Sequence, residues 1–104
     1  MIEKTEDELM VITMEECGEL IQVCSKAIRT KEYRSKKLTE EVGDVMCMVG
    51  LLMQNGLLNE DEIEERVKVK LSKLAKWSNL VEDNDEYKEM RNDDRRYIRK
   101  RKHR

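Results

Sequence analysis

The chain has 104 residues, of which 42% are charged and 38% hydrophobic, with four Gly, no Pro, no Phe and one Trp. That length suits one domain. The scarcity of turn residues argues against a meander of short strands, and Glu, Lys, Leu and Met favour helices. The net charge of −2 is uneven: residues 95–104 hold seven of the 21 basic residues and no acid, leaving 14 basic against 23 acidic residues, or −9, before them. So polar a chain of this size has little core of its own, which points to self-association.

Other classes drop out on the same reading. The first residues carry no charged-then-apolar leader, so no signal peptide is expected. The longest apolar run, Val45 to Met53, is nine residues, too short for a bilayer. Three Cys (Cys17, Cys24, Cys47) without C-x-x-C spacing read as reduced core thiols in a cytoplasmic protein and argue against zinc.

In chain order, Thr5-Glu-Asp-Glu8 has the form of a capping box opening a helix to about Thr30. Its apolar residues form two adjacent stripes: Leu9, Ile12, Leu20, Val23 and Ala27, and Met10, Met14, Cys17, Ile21, Cys24 and Ile28. So wide an apolar arc is more than one partner helix covers, which makes this helix central, with one side against another subunit. After a polar stretch to Lys37, a second helix fits Leu38 to Asn55, stopped by Gly56, with a core stripe of Leu38, Val42, Val45, Val49 and Leu52. The methionines Met46, Met48 and Met53 read as packing. Asn59-Glu-Asp-Glu62 is a second capping box, opening a third helix to about Ser78 with the stripe Ile63, Val67, Leu71, Leu74 and Trp77. Residues 79–85 read as a linker, and residues 86–104 as a charged helix or a disordered arm. The expected fold is all-α, a bundle of about four helices completed by oligomerisation, with a domain over residues 1–78 and a charged extension over 79–104.

Carboxylates interrupt this pattern. Glu16 falls in the middle of the first stripe, Glu19 lies one turn along on its flank and Glu15 further out. On the second helix Glu41 and Asp44 occupy a flank that continues as Met48 and Leu51. Each helix therefore offers a pair of acids at i, i+3 on one face. Ionised carboxylates in a packing face are costly unless a cation neutralises them. Four converging carboxylates suit a hard divalent ion such as Mg²⁺. Di-iron sites in bundles use Glu-x-x-His pairs, and the one His is His103, in the tail, which disfavours iron. In a chain with 23 acids, one Glu-Glu-x-x-Glu is commonly a solvated face; two acid pairs inside apolar faces are not.

Glu15-Glu16-Cys17-Gly18-Glu19, a gap of 21 residues, and Glu41-Val42-Gly43-Asp44 resemble the EExxE…ExxD signature of the MazG-like nucleotide pyrophosphohydrolases, in the all-α NTP pyrophosphatase superfamily. Glu40-Glu41-Val42-Gly43-Asp44-Val45 is similar to that family's EELGDLL segment. The resemblance covers roughly residues 5–78. It implies hydrolysis of a canonical or modified (d)NTP to the monophosphate and pyrophosphate with Mg²⁺, for which Mn²⁺ can substitute. By position it makes Glu16, Glu19, Glu41 and Asp44 metal ligands, and Glu15 and Glu16 catalytic, Glu15 orienting a ligand or the attacking water. The family's Lys-rich third helix makes Lys70 and Lys73 phosphate contacts, although Leu74, Lys76 and Trp77 stand where its Asn and Arg are looked for. Lys70 read by itself is equally a lysine snorkelling past a core edge. Trp77 reads as core or interface, or as a platform for a base.

The partners expected are the nucleotide and further copies of the chain, as homodimer or homotetramer, and no membrane. A near variant is phosphoribosyl-ATP pyrophosphohydrolase. A reading from another class is a non-enzymatic helical module that binds nucleic acid through the basic residues 95–104. A third is a helical scaffold whose acids are ordinary surface.

Overall fold

The computed structural model describes residues 2–80, with side chains from residue 5. Among the described residues there are three helices and no strand: α1 (Ile2–Thr30), α2 (Lys36–Gln54) and α3 (Glu60–Trp77). No helix among them is long and apolar enough to cross a membrane. The segment 86–104, including the basic residues 95–104, lies outside the described residues, as does most of the 79–85 linker.

The all-α expectation holds, with shifts at the helix starts. α1 begins at Ile2, so Thr5 sits inside the helix rather than capping it. The residues ahead of it, Ile-Glu-Lys, include nothing that breaks a helix, so the pattern simply extends backwards. α1 ends at Thr30, and the next residue, Lys31, takes a left-handed φ of 63°, a conformation that costs a lysine something and turns the chain sharply. α2 starts two residues before the expected Leu38, because Ser35 is an N-cap: its backbone is extended (φ −133°, ψ 151°) and its Oγ accepts from the Leu38 N–H at 3.0 Å.

The end of α2 follows the sequence closely. Gly56 takes φ 75°; its N–H reaches Met53 O at 3.0 Å, and the Leu57 N–H reaches back to Leu52 O at 2.9 Å. That pair of bonds is a Schellman cap, and Leu57 packs against the cluster containing Leu52, as such caps favour. Asn55 adds its side-chain N–H to Leu51 O at 2.8 Å.

The chain divides after Asn59, with α1 and α2 in one compact unit and α3 in the other. In the first unit the short connection makes α1 and α2 antiparallel neighbours, and Leu9, Met48 and Leu52 form the core, with Ile12, Leu51 and Leu57 packed against it. The first α1 stripe is therefore the inward one. On α2 the buried residues are Glu41, Met48 and Leu52, whereas Val42 is 43% exposed. The helix is rotated from the expected register, so that a glutamate rather than a valine sits at the centre of its inner face. Met48 packs as expected, but Met46 is 62% exposed.

The second α1 stripe faces outward throughout. Met10, Met14, Ile21 and Ile28 are exposed, and so are Cys17 and Cys24. All three Cys are free thiols, as expected, but none is a core residue, since each falls on an outer face of its helix.

α3 opens on the acidic turn Glu60, Asp61 and Glu62, which suits the positive end of the helix dipole. Its buried residues are Ser72 and Ala75 rather than the expected stripe, of which Val67 is 50% exposed. Small side chains vanish from solvent completely where larger neighbours such as Leu71, Leu74 and Trp77 remain half-buried. Ser78 closes the helix, its Oγ donating to Leu74 O at 2.8 Å.

Candidate metal centre

Helix geometry brings the two acid pairs together. Glu16 and Glu19 lie one turn apart on α1, Glu41 and Asp44 one turn apart on α2, and the two helices pack directly. One carboxylate oxygen from each of the four lies within 4.8 Å of those from the other three. Burial is graded: Glu41 is 1% exposed, Glu16 partly buried, and Glu19 and Asp44 are on the open side.

Such a cluster repels itself, and the protons respond. Burial pushes the Glu16 carboxyl up, the carboxylates of Glu19, Asp44 and Glu41 push it further, and a hydrogen bond to Asp44 retains the proton. Glu19 is raised first by its hydrogen bond with Glu41 and then by that group's charge. Glu41 goes the other way. The Lys37 ammonium, 2.9 Å from its Oε1, holds it below the usual carboxylate range despite burial, with the Glu19 hydrogen bond helping. Lys37 is raised in turn, by its hydrogen bond to Glu41.

Even so the site is not satisfied. Glu16 Oε2 and Glu41 Oε2 are buried with no hydrogen-bond partner. Buried carboxylate oxygens without a donor are expensive, and native proteins rarely leave them so without a ligand to fill the gap. The donor set is all oxygen, with one buried anchor and an open side. That fits a hard divalent cation that keeps water or phosphate oxygens in its remaining positions.

The sequence thus named the four acids that converge. Glu15, adjacent in sequence, is exposed and stands outside the four. Lys70 and Lys73 lie on α3, Lys70 exposed and Lys73 half-buried. Lys37 is the residue that sequence reasoning missed. Its signal was Ser35: read as the N-cap, it makes residues 36 and 37 helical and puts Lys37 four residues before Glu41, on the same face.

Among the described residues the fold is all-helical, with four acids converging from two packed helices. Residues 4–78 match the MazG nucleotide pyrophosphohydrolase domain, and the chain belongs to that family. No curated protein and no solved structure matches it.

Proposed function

We propose that the protein is a Mg²⁺-dependent nucleotide pyrophosphohydrolase, converting a canonical or modified (deoxy)nucleoside triphosphate to the monophosphate and pyrophosphate. The observation that carries this reading is the convergence of Glu16, Glu19, Glu41 and Asp44 around two partnerless buried oxygens, in a chain of this family. These four residues would hold Mg²⁺, with Mn²⁺ able to substitute. When bound, the ion would neutralise triphosphate charge and acidify a water.

The chain's own residues do the remaining work. Glu41, buried and already ionised, is the fixed anchor. Glu16 and Glu19, whose carboxyls are raised by burial and by neighbouring carboxylates, would complete the set in their ionised form, so metal affinity should rise with pH. Glu15, exposed and outside the four, is assigned by its place in the family motif to orient a ligand or the attacking water. The phosphate role read for Lys70 and Lys73 is tested by Lys70→Met and Lys73→Met, which should raise KM more than they lower kcat. A homodimer or homotetramer is supported by the outward apolar stripe of α1.

The experiment is a panel of (d)NTPs and modified nucleotides, phosphoribosyl-ATP included, with pyrophosphate as readout. Glu16→Gln and Glu41→Gln should each lower kcat/KM by about 100-fold or more, since each removes a ligand worth several kcal/mol of charge stabilisation. Pyrophosphate release that survives both substitutions would remove the site.

A further inference from the structure

Lys37 stands where its own helix gives it no reason to be. It occupies the first turn of α2, which contains no acid, so its charge faces the positive end of the helix dipole. The order Lys then Glu at i, i+4 is also the weaker orientation for a helical ion pair. Yet its Nζ lies 2.9 Å from Oε1 of Glu41, a side chain 2% exposed, while Lys37 itself is 65% exposed. A residue that breaks a local rule beside a candidate site usually serves the site.

The geometry points to Lys37 as a tethered place-holding cation: it neutralises Glu41 while the centre lacks its metal ion, and the ion displaces it on binding. This rests on the metal reading above. The two cations share one carboxylate. A divalent ion held by Glu41 would leave a lysine ammonium 2.9 Å from Oε1 of that same group, with like charges only a few ångströms apart. A doubly charged ion would draw on all four carboxylates, whereas the ammonium is singly charged, mostly in water, and touches one. The ion would therefore displace the lysine.

It also has somewhere to go. Lys37 lines a recess of 120 Å³ at the α1–α2 connection, beside Lys26, Thr30, Glu32 and Ser35. Its exposed stem can turn there without disturbing the packing of α2. The tether explains how so acidic a cluster folds before metal is loaded: a lysine four residues away on the same helix is always at hand, whatever the concentration of free ions.

Mn²⁺ binding to the nucleotide-free full chain, followed by calorimetry, tests the assignment. Lys37→Met should tighten Mn²⁺ binding by roughly three- to tenfold, the size expected when a half-exposed ion pair no longer has to be broken. Lys37→Arg, which keeps the cation, should bind as wild type does. Lys36→Met removes a charge from the same turn but not from Glu41, and should change affinity by less than about twofold, as a screened surface charge does. In chelator Lys37→Met should melt below wild type, and saturating Mn²⁺ should close that gap. Equal or weaker Mn²⁺ affinity in Lys37→Met, or an equal gain in Lys36→Met, overturns the assignment. If Lys37→Met does not fold without metal, the wild-type Lys37 side-chain resonance decides. It should move to a free lysine's position on adding Mg²⁺, and a resonance that stays put overturns the assignment. A wild-type chain that takes up no Mn²⁺ at all would instead overturn the metal reading itself.

Discussion

At the scale of single residues, the centre is a set of linked protons. Glu16 and Glu19 hold theirs above the ordinary value of 4.5, for reasons of burial and neighbouring charge. The folded, metal-free chain therefore binds more protons than the unfolded chain once the pH passes that value. Their stabilising contribution is full below the ordinary carboxylate range and is lost as the pH rises through their raised values. Glu41, held down by Lys37, contributes in the opposite sense: its share is present above the ordinary range and disappears as the pH falls through its lowered value. In chelator the melting temperature should accordingly fall from about pH 5 towards neutrality, the range above the ordinary carboxylate values. Glu16→Gln or Glu19→Gln should flatten that fall, because an amide neither ionises nor repels. Saturating Mg²⁺ should reverse it, because the ion would neutralise the carboxylates that repel one another once ionised. A melting temperature that climbs over the same range in chelator would contradict the proton assignment.

At the scale of elements, stop and cap signals were the most legible part of the sequence, because each rests on one residue's backbone chemistry. Gly56 ended α2 as read, through a left-handed turn that a side chain would strain. Ser35 was just as informative, but the run of Lys and Arg around it concealed the helix start. Facial register was less legible. Hydropathy ranks Val42 above Glu41 for burial, whereas the structure exposes the valine and buries the acid. No periodicity count anticipates that, since what offsets the burial is a lysine rather than apolar area. The acid pairs themselves survived this rotation, because i, i+3 spacing keeps two side chains together whichever way the helix turns. α2 also contains a removable weakness. Gly50 is helical, and a Cβ added there would meet nothing within 4 Å. Gly50→Ala should stabilise the chain by about 0.5–1 kcal/mol through the backbone freedom it removes from the unfolded state. Thermal melts should register a rise of a few degrees. A fall would mean that something outside the single chain packs on that glycine.

At the scale of the whole molecule, the apolar surface left in water is the dominant fact. Among the described residues the buried hydrophobics are Leu9, Met48, Leu52 and Ala75, while Met14, Ile21, Ile28 and Met46 are each more than 60% exposed. On α1 the exposed positions 10, 14, 17, 21, 24 and 28 alternate steps of four and three, the spacing of a coiled-coil seam. On α2 the exposed Val42 and Met46 are followed at the same spacing by Val49 and Met53, which are half-buried. A straight apolar seam of this kind can pair with a copy of itself about a two-fold axis. Sedimentation should give a mass of at least two chains, and Ile21→Glu, which places a charge in the middle of the seam, should shift the mass towards one. Cysteine reactivity checks which face is covered. Cys17 and Cys24 lie on the seam and should react slowly with a thiol reagent in the assembly, then quickly in Ile21→Glu, while Cys47, off both seams, reacts at the same rate in each. If wild type sediments as a single chain with all three thiols equally reactive, the seam is open surface, and the small core must stabilise the fold without a partner.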